Sequence, residues 1–552
     1  MIDLTLKLKS IRHMIDYTVK HSASRIAFRI KQKNGKEVSY KDVTYSKMGE
    51  DIRAFSTWLL NSGISSKRIV VVGENSYEWV LGYLSTLASG NIFVPLDKNL
   101  PEGELMRLLE RAEPECIIYG ENFKTYIQNY GKAKFTICMT DEMYFKIDEG
   151  NNLIKNGDNS YDNVVIDENE MAILLFTSGT TSESKAVMLS QYNIASNIND
   201  LVVCEKFYED DINLALLPMH HVFGLVAMSL FLRIGMMNVF CEGLRVAKAL
   251  KEYKVSVLVV VPLILESMFR QIDRTVKKQG KQKVLAFGFK LTKFLSKFGI
   301  DIRKKIFASI HNELGGNLRF IISGGAALRG DLEKWFNDIG ILTVQGYGLS
   351  ETSPVVSAEN DTHMKYGSIG IPMPSVQVKI DNPNEDGIGE IIVKGDNVML
   401  GYWNEPELTN EVLKGGWFYT GDMGYIDNDG YIFITGRKKD VIVLSNGKNV
   451  FPTELEQVVG KAEFVTECLV FEDEPDTLAV NVVYDESLQK NMSVDDIKKM
   501  IKKHIEDVNA KLVSYKRIKT VYASILPMVK TSTAKIKRIP SIEKIKKEQT
   551  AI

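Results

Sequence analysis

The sequence is poor in the features that mark metal clusters, disulfide scaffolds and nucleic-acid-binding proteins. It has five cysteines in 552 residues, and they form neither a Cys-x-x-Cys pair nor another metal-binding spacing. Scattered cysteines of this kind are typical of reduced thiols in a cytosolic protein. Lysine and arginine together number 69 against 70 acidic residues, so the formal net charge is −1. Such a balance provides no overall attraction for nucleic acid, and we expect no nucleic-acid partner.

Long apolar runs are also missing. The longest, Val257 to Leu265, is interrupted by Pro262 and is far shorter than the roughly 20 residues that a membrane-spanning helix needs. Residues 1–22 alternate charged and apolar side chains and lack the continuous apolar stretch of a signal peptide. We therefore expect a cytoplasmic protein, with peripheral contact at the inner membrane surface left open.

The chain is too long for one hydrophobic core, so two to four domains or subdomains are expected. Residues 68–120 alternate strand and helix patterns in the order βαβαβ, which predicts a parallel sheet with helices on its faces. A second α/β stretch runs from Met171 to about Ala358. The fold class indicated is α/β.

The pattern changes after about residue 366. Short alternating strands punctuated by glycine over 367–437 predict a small β-barrel subdomain. The last part of the chain mixes strands and helices, as in a small α+β domain. We place the boundary at Lys438 to Asp440, which gives a large N-terminal domain over 1–437 and a small, mobile C-terminal domain over 438–552.

One loop has the composition of a phosphate-binding site. Residues 176–189, FTSGTTSESKAVML, place hydroxyls, one glycine and Lys185 between two apolar runs. It is not a Walker A motif, because Ser184 and Ala186 stand where that motif needs glycine and Ser or Thr. GYGLSE (346–351) also lacks the third glycine of a dinucleotide fingerprint. Hydroxyls, a tight turn and one lysine suit a triphosphate that is held and released as pyrophosphate. A hydroxyl-rich surface turn explains this loop equally well when it is taken alone. The residues concerned are Thr177, Ser178, Gly179, Thr180, Thr181 and Lys185.

Eight motifs in order give the loop its context. With them the chain resembles the adenylate-forming superfamily of acyl-CoA synthetases, luciferases and peptide-synthetase adenylation domains over nearly its full length. The segment at 436–456 is similar to the long-chain fatty acyl-CoA synthetase branch. The motifs are TSGTTSESKAVMLS, LPMHHVFG, RFIISGGAAL, VQGYGLSET, GEIIVKG, YTGDMGYID, GRKKDVIVLSNGKNVFPTELE and LPMVKTSTAKIKR.

The resemblance implies ATP, Mg²⁺ and CoA as cofactors, and it assigns catalytic roles. A carboxylate is already ionised at neutral pH, so its attack on ATP needs no general base; catalysis must come from positioning and positive charge. Lys535 matches the lysine that bridges the carboxylate and the α-phosphate. Glu351 matches the Mg²⁺ ligand, and Ser350 offers a hydroxyl where the family usually has threonine.

The resemblance also assigns the nucleotide contacts and the moving parts. Asp422 would accept the ribose hydroxyls with help from Arg437, and His221 would gate the acyl pocket. Either His220 or His221, taken singly, is more commonly a packed histidine. Lys439 occupies the hinge position about which the C-terminal domain swings between two half-reactions. Tyr347 would lie against the adenine face, and small residues would admit the other edge of the base. The cofactor-binding residues of these two segments are Gly325, Ala326, Ala327, Gly346, Tyr347 and Gly348.

Four positions depart from the family pattern. Ser182, Ser184, Ala186 and Ala534 replace the usual Gly, Pro, Gly and Gly. If Ser182 or Ala534 must adopt a positive φ, each costs about 1–2 kcal/mol, which would slow turnover. All the charged groups are present, so a working enzyme is expected.

The substrate indicated by the resemblance is a medium- or long-chain fatty acid. Residues 274–305 carry eleven basic side chains and one acid, Asp301, interleaved with phenylalanines. Such a segment can lie on anionic lipid, although a solvated basic helix whose aromatics pack on the N-terminal domain is an equal alternative. Three other functions stay open: a ligase that uses a carrier protein or stops at the adenylate, a nucleotide-binding homologue without turnover, and, ranked lowest, a luciferase-like oxygenase.

Overall fold

The fold comes from a computed structural model that describes residues 3–35, 37–177, 184–241, 245–530 and 536–552. The chain divides into two compact units, and each is described by itself. The first comprises Met1–Val378 and Val393–Phe418, and the second Lys379–Ile392 and Tyr419–Ile552. The expected α/β class is confirmed: a large N-terminal part of sheets and helices precedes a smaller C-terminal part.

The parallel sheet predicted from residues 68–120 is present in the first unit. Strand Arg68–Val72 lies between Ile92–Leu96 and Cys116–Tyr119 and is parallel to both. Its apolar residues are buried, as expected for a strand covered on both faces. Ser76 starts the intervening helix by accepting a hydrogen bond from the Trp79 amide at 3.1 Å. The full strand order is Gly401–Tyr402, Lys185–Ser190, Met171–Thr177, Ile92–Leu96, Arg68–Val72, Cys116–Tyr119 and Phe135–Cys138.

A second, larger sheet completes the first unit. Its central strands are parallel, and Leu342–Gly348 lies beside Phe320–Ser323. The chain then turns back into the antiparallel strand Val355–Ala358. The order is Ile371–Pro372, Val355–Ala358, Leu342–Gly348, Phe320–Ser323, Val257–Val260, Ile212–Ala215, Met237–Phe240, Ile26–Asn34 and Glu37–Thr44.

The helices of the first unit cover these sheets and bury large apolar clusters, one around Phe28, Trp79 and Phe93 and another around Leu250 and Phe336. No helix among the described residues is long and apolar enough to cross a membrane. The helices are Ile11–Ser22, Tyr45–Asn61, Tyr77–Ala88, Glu102–Ala112, Lys124–Tyr130, Glu142–Lys155, Ser160–Asn163, Gln191–Cys204, Val222–Ile234, Val246–Tyr253, Pro262–Lys278, Gln282–Ser296, Arg303–Ile306, Ala308–Glu313, Gly330–Asp338 and Pro406–Val412.

The β-rich region expected over 367–437 forms a small five-stranded sheet. Its strands are Val376–Asp381, Gly389–Gly395, Leu413–Lys414, Trp417–Ile426 and Ile432–Arg437.

The second unit has its own core. The helix Val494–Asn509 is capped by Ser493 and buries Ile497, Ile501 and Ile505, four residues apart on one face. Lys438–Asp440 forms one short 3₁₀ turn. The strands described after this turn are Ile442–Val443, Asn449–Val450, Val465–Glu474, Thr477–Tyr484 and Thr520–Ser524, and further α-helices are Pro452–Val459 and Arg538–Glu548.

Candidate active site

The two ends of the hydroxyl-rich loop are held together by a hairpin. Thr177 and Lys185 are direct partners on antiparallel strands, and the Thr177 hydroxyl donates to the Lys185 carbonyl oxygen at 3.4 Å. The pairing fixes where the loop leaves the sheet and where it returns. Four of its predicted phosphate contacts, together with Ser182, lie outside the described residues: Ser178, Gly179, Thr180 and Thr181.

Lys185 meets a tyrosine that the sequence did not single out. Its Nζ lies 4.9 Å from the ring centroid of Tyr402, which is 4% exposed. The Tyr402 hydroxyl donates to Glu351 Oε1 at 2.9 Å. Lys185, Tyr402 and Glu351 therefore form one cluster, in which the cation lies over the phenol ring and the carboxylate accepts from its hydroxyl.

Tyr402 is set up to act as a hydrogen-bond donor. Burial, followed by the charge of Glu351, raises the pKa of the phenol well above its ordinary value. The hydroxyl therefore keeps its proton at neutral pH and holds one carboxylate oxygen in place. The ring is positioned because Tyr402 pairs with Val187 across an antiparallel ladder.

Glu351 is presented by a tight turn after the strand Leu342–Gly348. An added Cβ on Gly348 would lie 1.7 Å from the Pro354 carbonyl oxygen, so only glycine fits. The Leu349 amide donates to that same oxygen at 3.2 Å, and the Met399 amide donates to the Glu351 carbonyl at 2.8 Å. These bonds hold the 3₁₀ turn Ser350–Thr352 and with it both predicted residues, Ser350 and Glu351.

Glu351 is the carboxylate of this cluster that could hold a metal ion together with phosphate oxygens. Among the described residues, no group of three or more His, Cys, Asp or Glu side chains could hold an ion. Glu351 supplies one carboxylate, with Tyr402 at one of its oxygens. Mg²⁺ is commonly bound by one or two carboxylates together with substrate phosphates. The cluster therefore suits Mg²⁺ carried by a triphosphate.

The cofactor-binding residues predicted around the adenine follow two neighbouring parallel strands. Ser323 is the partner of Gln345, so residues 324–327 and 346–348 follow the same edge of the sheet. Carboxyl ends of parallel strands are where such sheets commonly bind ligands. Gly325 has a φ of 81°, which favours glycine, and Gly325, Ala326 and Ala327 are exposed. The Leu328 amide donates to Gln345 Oε1 at 2.9 Å and joins the two segments.

The two histidines occupy the start of the helix Val222–Ile234. The rings of His220 and His221 lie 4.3 Å apart, and His220 Nε2 is 3.4 Å from Asp97 Oδ2. Asn75 holds the preceding turn by donating to the Leu217 carbonyl at 2.7 Å. The gate role of His221 stays a prediction, and Asp97 is a neighbour that the sequence did not indicate.

The second unit carries the predicted ribose residues. Asp422 and Arg437 are partners on antiparallel strands, and Arg437 Nε lies 2.7 Å from Asp422 Oδ1. Thr420 supports the turn, since its hydroxyl accepts from the Asp422 amide at 3.0 Å. Lys439 is exposed in the 3₁₀ turn, and Lys535 lies outside the described residues, as does Ala534.

Comparison with known proteins identifies the family. The model of the AMP-binding enzyme family matches residues 16–403, and that of the AMP-binding enzyme C-terminal domain matches 439–550. A long-chain-fatty-acid–CoA ligase of Mycobacterium bovis is 26% identical over 79% of this chain and 76% of its own length. A chloroplastic long-chain-fatty-acid–[acyl-carrier-protein] ligase of Arabidopsis thaliana is 26% identical over 78% of this chain and 70% of its own.

Solved structures agree on the fold. ATP-bound MatB from Rhodopseudomonas palustris superposes with a TM-score of 0.76 at 22% identity, covering 97% of this chain and 99% of its own. A Mycobacterium tuberculosis fatty acyl CoA synthetase superposes with a TM-score of 0.65 at 23% identity, covering 96% of each chain. The predicted resemblance is thus confirmed: the chain belongs to the AMP-binding enzyme family and has the adenylate-forming fold.

Proposed function

We propose that this protein activates a medium- or long-chain fatty acid with ATP and transfers the acyl group to CoA. The observation that carries the proposal is the cluster of Lys185, Tyr402 and Glu351. It joins a cation at the end of the hydroxyl-rich loop to a carboxylate suited to Mg²⁺. A triphosphate needs both, because its charge must be neutralised before another anion can approach.

In the first half-reaction an oxygen of the fatty carboxylate attacks the α-phosphorus of ATP. The bond from that phosphorus to the bridging oxygen breaks, and pyrophosphate leaves with the electron pair. Lys185 and the loop hydroxyls bind the departing phosphates, Ser350 donates to the α-phosphate, and Lys535 draws carboxylate and phosphate together. Mg²⁺, held by Glu351 and the phosphates, would neutralise part of the charge that develops.

The nucleotide is oriented by two groups of residues. Asp422, fixed by Arg437, accepts hydrogen bonds from the ribose hydroxyls. Tyr347 contacts the adenine face, and the small residues Gly325 to Ala327 leave room for the other edge of the base. Orientation matters here because the protein forms no covalent bond to the substrate in this step, so catalysis depends on positioning the carboxylate in line with the bond that breaks.

In the second half-reaction the CoA thiolate attacks the acyl carbonyl. The carbon–oxygen bond to AMP breaks, and acyl-CoA and AMP are released. A free thiol has a pKa near 8.5, so most of the driving force comes from the activated adenylate. Lys439 would serve as the hinge about which the C-terminal domain swings between the two half-reactions.

Two observations bear on the acceptor. The bacterial relative is named for CoA and the plant relative for an acyl carrier protein, at equal identity. A carrier-protein ligase is therefore the second candidate. To separate them, the chain is incubated with ATP, Mg²⁺ and a fatty acid plus either CoA or phosphopantetheinylated carrier protein. We expect mass spectrometry to detect acyl-CoA; a thioester formed only on the carrier protein would reverse the assignment.

A further inference from the structure

The helix Gln282–Ser296 has an inner face that packs on the first unit. An added Cβ on Gly288 would lie 3.0 Å from the Phe307 ring, so the helix approaches closely there. Phe289 contacts the same ring, with centroids 5.0 Å apart, and Thr292 is buried on the same side. These contacts fix which side of the helix faces outward.

The outer face is apolar and open to solvent. Val284 is 67% exposed, Phe287 65% and Phe294 57%, and Phe298 just beyond the helix is 66% exposed. They are spaced three, seven and four residues apart, so they line one stripe. Phe294 and Phe298 contact each other at 5.3 Å between centroids. Several exposed phenylalanines on one helix face are unusual on a protein surface and indicate an interaction site.

Lysines flank this stripe along one side. Lys283, Lys290 and Lys297 are exposed and recur every seven residues, so they form a row beside the phenylalanines. The helix contains no acidic residue, and Asp301, the one acid in 274–305, is bound by Arg303 at 2.7 Å. The row of lysines and the phenylalanine stripe are named the Phe/Lys face.

We propose that the Phe/Lys face lies on an anionic lipid surface. The phenylalanines would enter the boundary between headgroups and acyl chains while the lysines contact anionic headgroups, the arrangement of an interfacial amphipathic helix. Charge favours lipid over a second copy of this chain, because two such faces would bring lysine rows together with no acid on either helix. The proposal stands on this surface alone and does not depend on the proposed enzyme activity.

The test is sedimentation of the full chain with vesicles of phosphatidylcholine, alone or with about 30% phosphatidylglycerol. We expect binding only to the anionic vesicles, weakening as NaCl rises from about 50 to about 500 mM. The triple variant Phe287→Ser, Phe294→Ser, Phe298→Ser should lower the partition coefficient at least about tenfold. Phe145→Ser, on the helix Glu142–Lys155, is the matched control because Phe145 is 66% exposed.

A second variant, Lys283→Gln, Lys290→Gln, Lys297→Gln, should lower binding to anionic vesicles and flatten its salt dependence. It replaces only exposed side chains and keeps the proposal testable if the phenylalanine variant unfolds. Absence of vesicle binding at low salt overturns the proposal, as does an equal loss in Phe145→Ser. A dimer that either triple variant converts to a monomer in light scattering would assign the face to a second copy instead. Pyrophosphate release, measured separately, reports on the ligase proposal alone.

Discussion

Tyr402 links the proposed phosphate loop to the proposed metal carboxylate, because its ring contacts Lys185 and its hydroxyl donates to Glu351. Removing its hydroxyl in Tyr402→Phe keeps the ring beside Lys185 but takes the hydrogen bond from Glu351. A carboxylate without this donor should bind Mg²⁺ less well, as happens when outer partners of metal ligands are lost. We expect the Mg²⁺ concentration for half-maximal pyrophosphate release to rise about tenfold.

The matched control is Tyr192→Phe. Tyr192 also donates to a carboxylate, Asp396 Oδ2 at 2.9 Å, and neither residue is assigned to the proposed site. Its Mg²⁺ requirement should equal that of the wild type. Equal shifts in the two variants, or none in Tyr402→Phe, would remove Tyr402 from the metal site.

Two buried glutamates predict a pH-dependent stability. Glu333 and Glu359 are fully buried, and the Glu359 carboxylate accepts the amides of Gln345 at 3.2 Å and Lys365 at 3.0 Å. Burial, followed by the neighbouring Glu359 carboxyl, raises the pKa of Glu333 far above its ordinary value of 4.5. The folded chain therefore keeps a proton that the unfolded chain loses.

That difference sets the direction in which the stability of the fold changes with pH. The stabilising contribution of neutral Glu333 is complete below pH 4.5 and is lost progressively as the pH rises toward the raised folded value. Glutamine cannot ionise, so the Glu333→Gln variant lacks this loss of stability. Its melting temperature should therefore rise relative to that of the wild type as the pH increases from about 5 to about 9. Scanning calorimetry across that range measures the difference; parallel curves would contradict it.

Among the structural elements, the turn after the strand Leu342–Gly348 leads to a prediction about the stability of the fold. Gly348→Ala forces a Cβ against the Pro354 carbonyl and should destabilise the fold by about 2–3 kcal/mol, seen as a lower melting temperature. Gly346→Ala is the matched control in the same strand, since the nearest atom to its Cβ, the Ser357 carbonyl oxygen, is 3.6 Å away. Equal melting temperatures in the two variants would contradict the crowding at Gly348.

Elements with strong local signals could be predicted from the sequence. The alternating strand and helix patterns of 68–120 predicted three parallel strands, and the structure contains them. Periodicity and caps depend on neighbouring residues, which is why they can be found without tertiary information.

Contacts between distant segments could not be predicted in the same way. Tyr402 reaches Glu351 because a two-residue strand pairs with Lys185–Ser190, more than 200 positions earlier. Nothing in the local spacing around Gly401 and Tyr402 indicates this pairing. The outward direction of Phe287, Phe294 and Phe298 was equally hidden, because sequence alone leaves open which apolar side of a helix meets the core.

At the scale of the whole molecule, the proposed swing of the C-terminal domain means that Lys535 acts in the first half-reaction only. Lys535→Ala should lower the rate of pyrophosphate release about 100-fold or more, because it removes a positive charge that stabilises the negative charge developing in the transition state. The same variant should still convert supplied acyl-adenylate and CoA to acyl-CoA at nearly the wild-type rate. Loss of both half-reactions would contradict a swinging C-terminal domain with separate faces for each step.

The central claim is that this chain is an ATP-dependent fatty acid ligase. It is tested most directly by pyrophosphate release with ATP and Mg²⁺ across saturated acids from four to eighteen carbons, with and without CoA. We expect release that requires a medium- or long-chain acid and is stimulated by CoA. Release without CoA stimulation would favour a carrier-protein or adenylate-only ligase, and no release with any acid would contradict ligase activity.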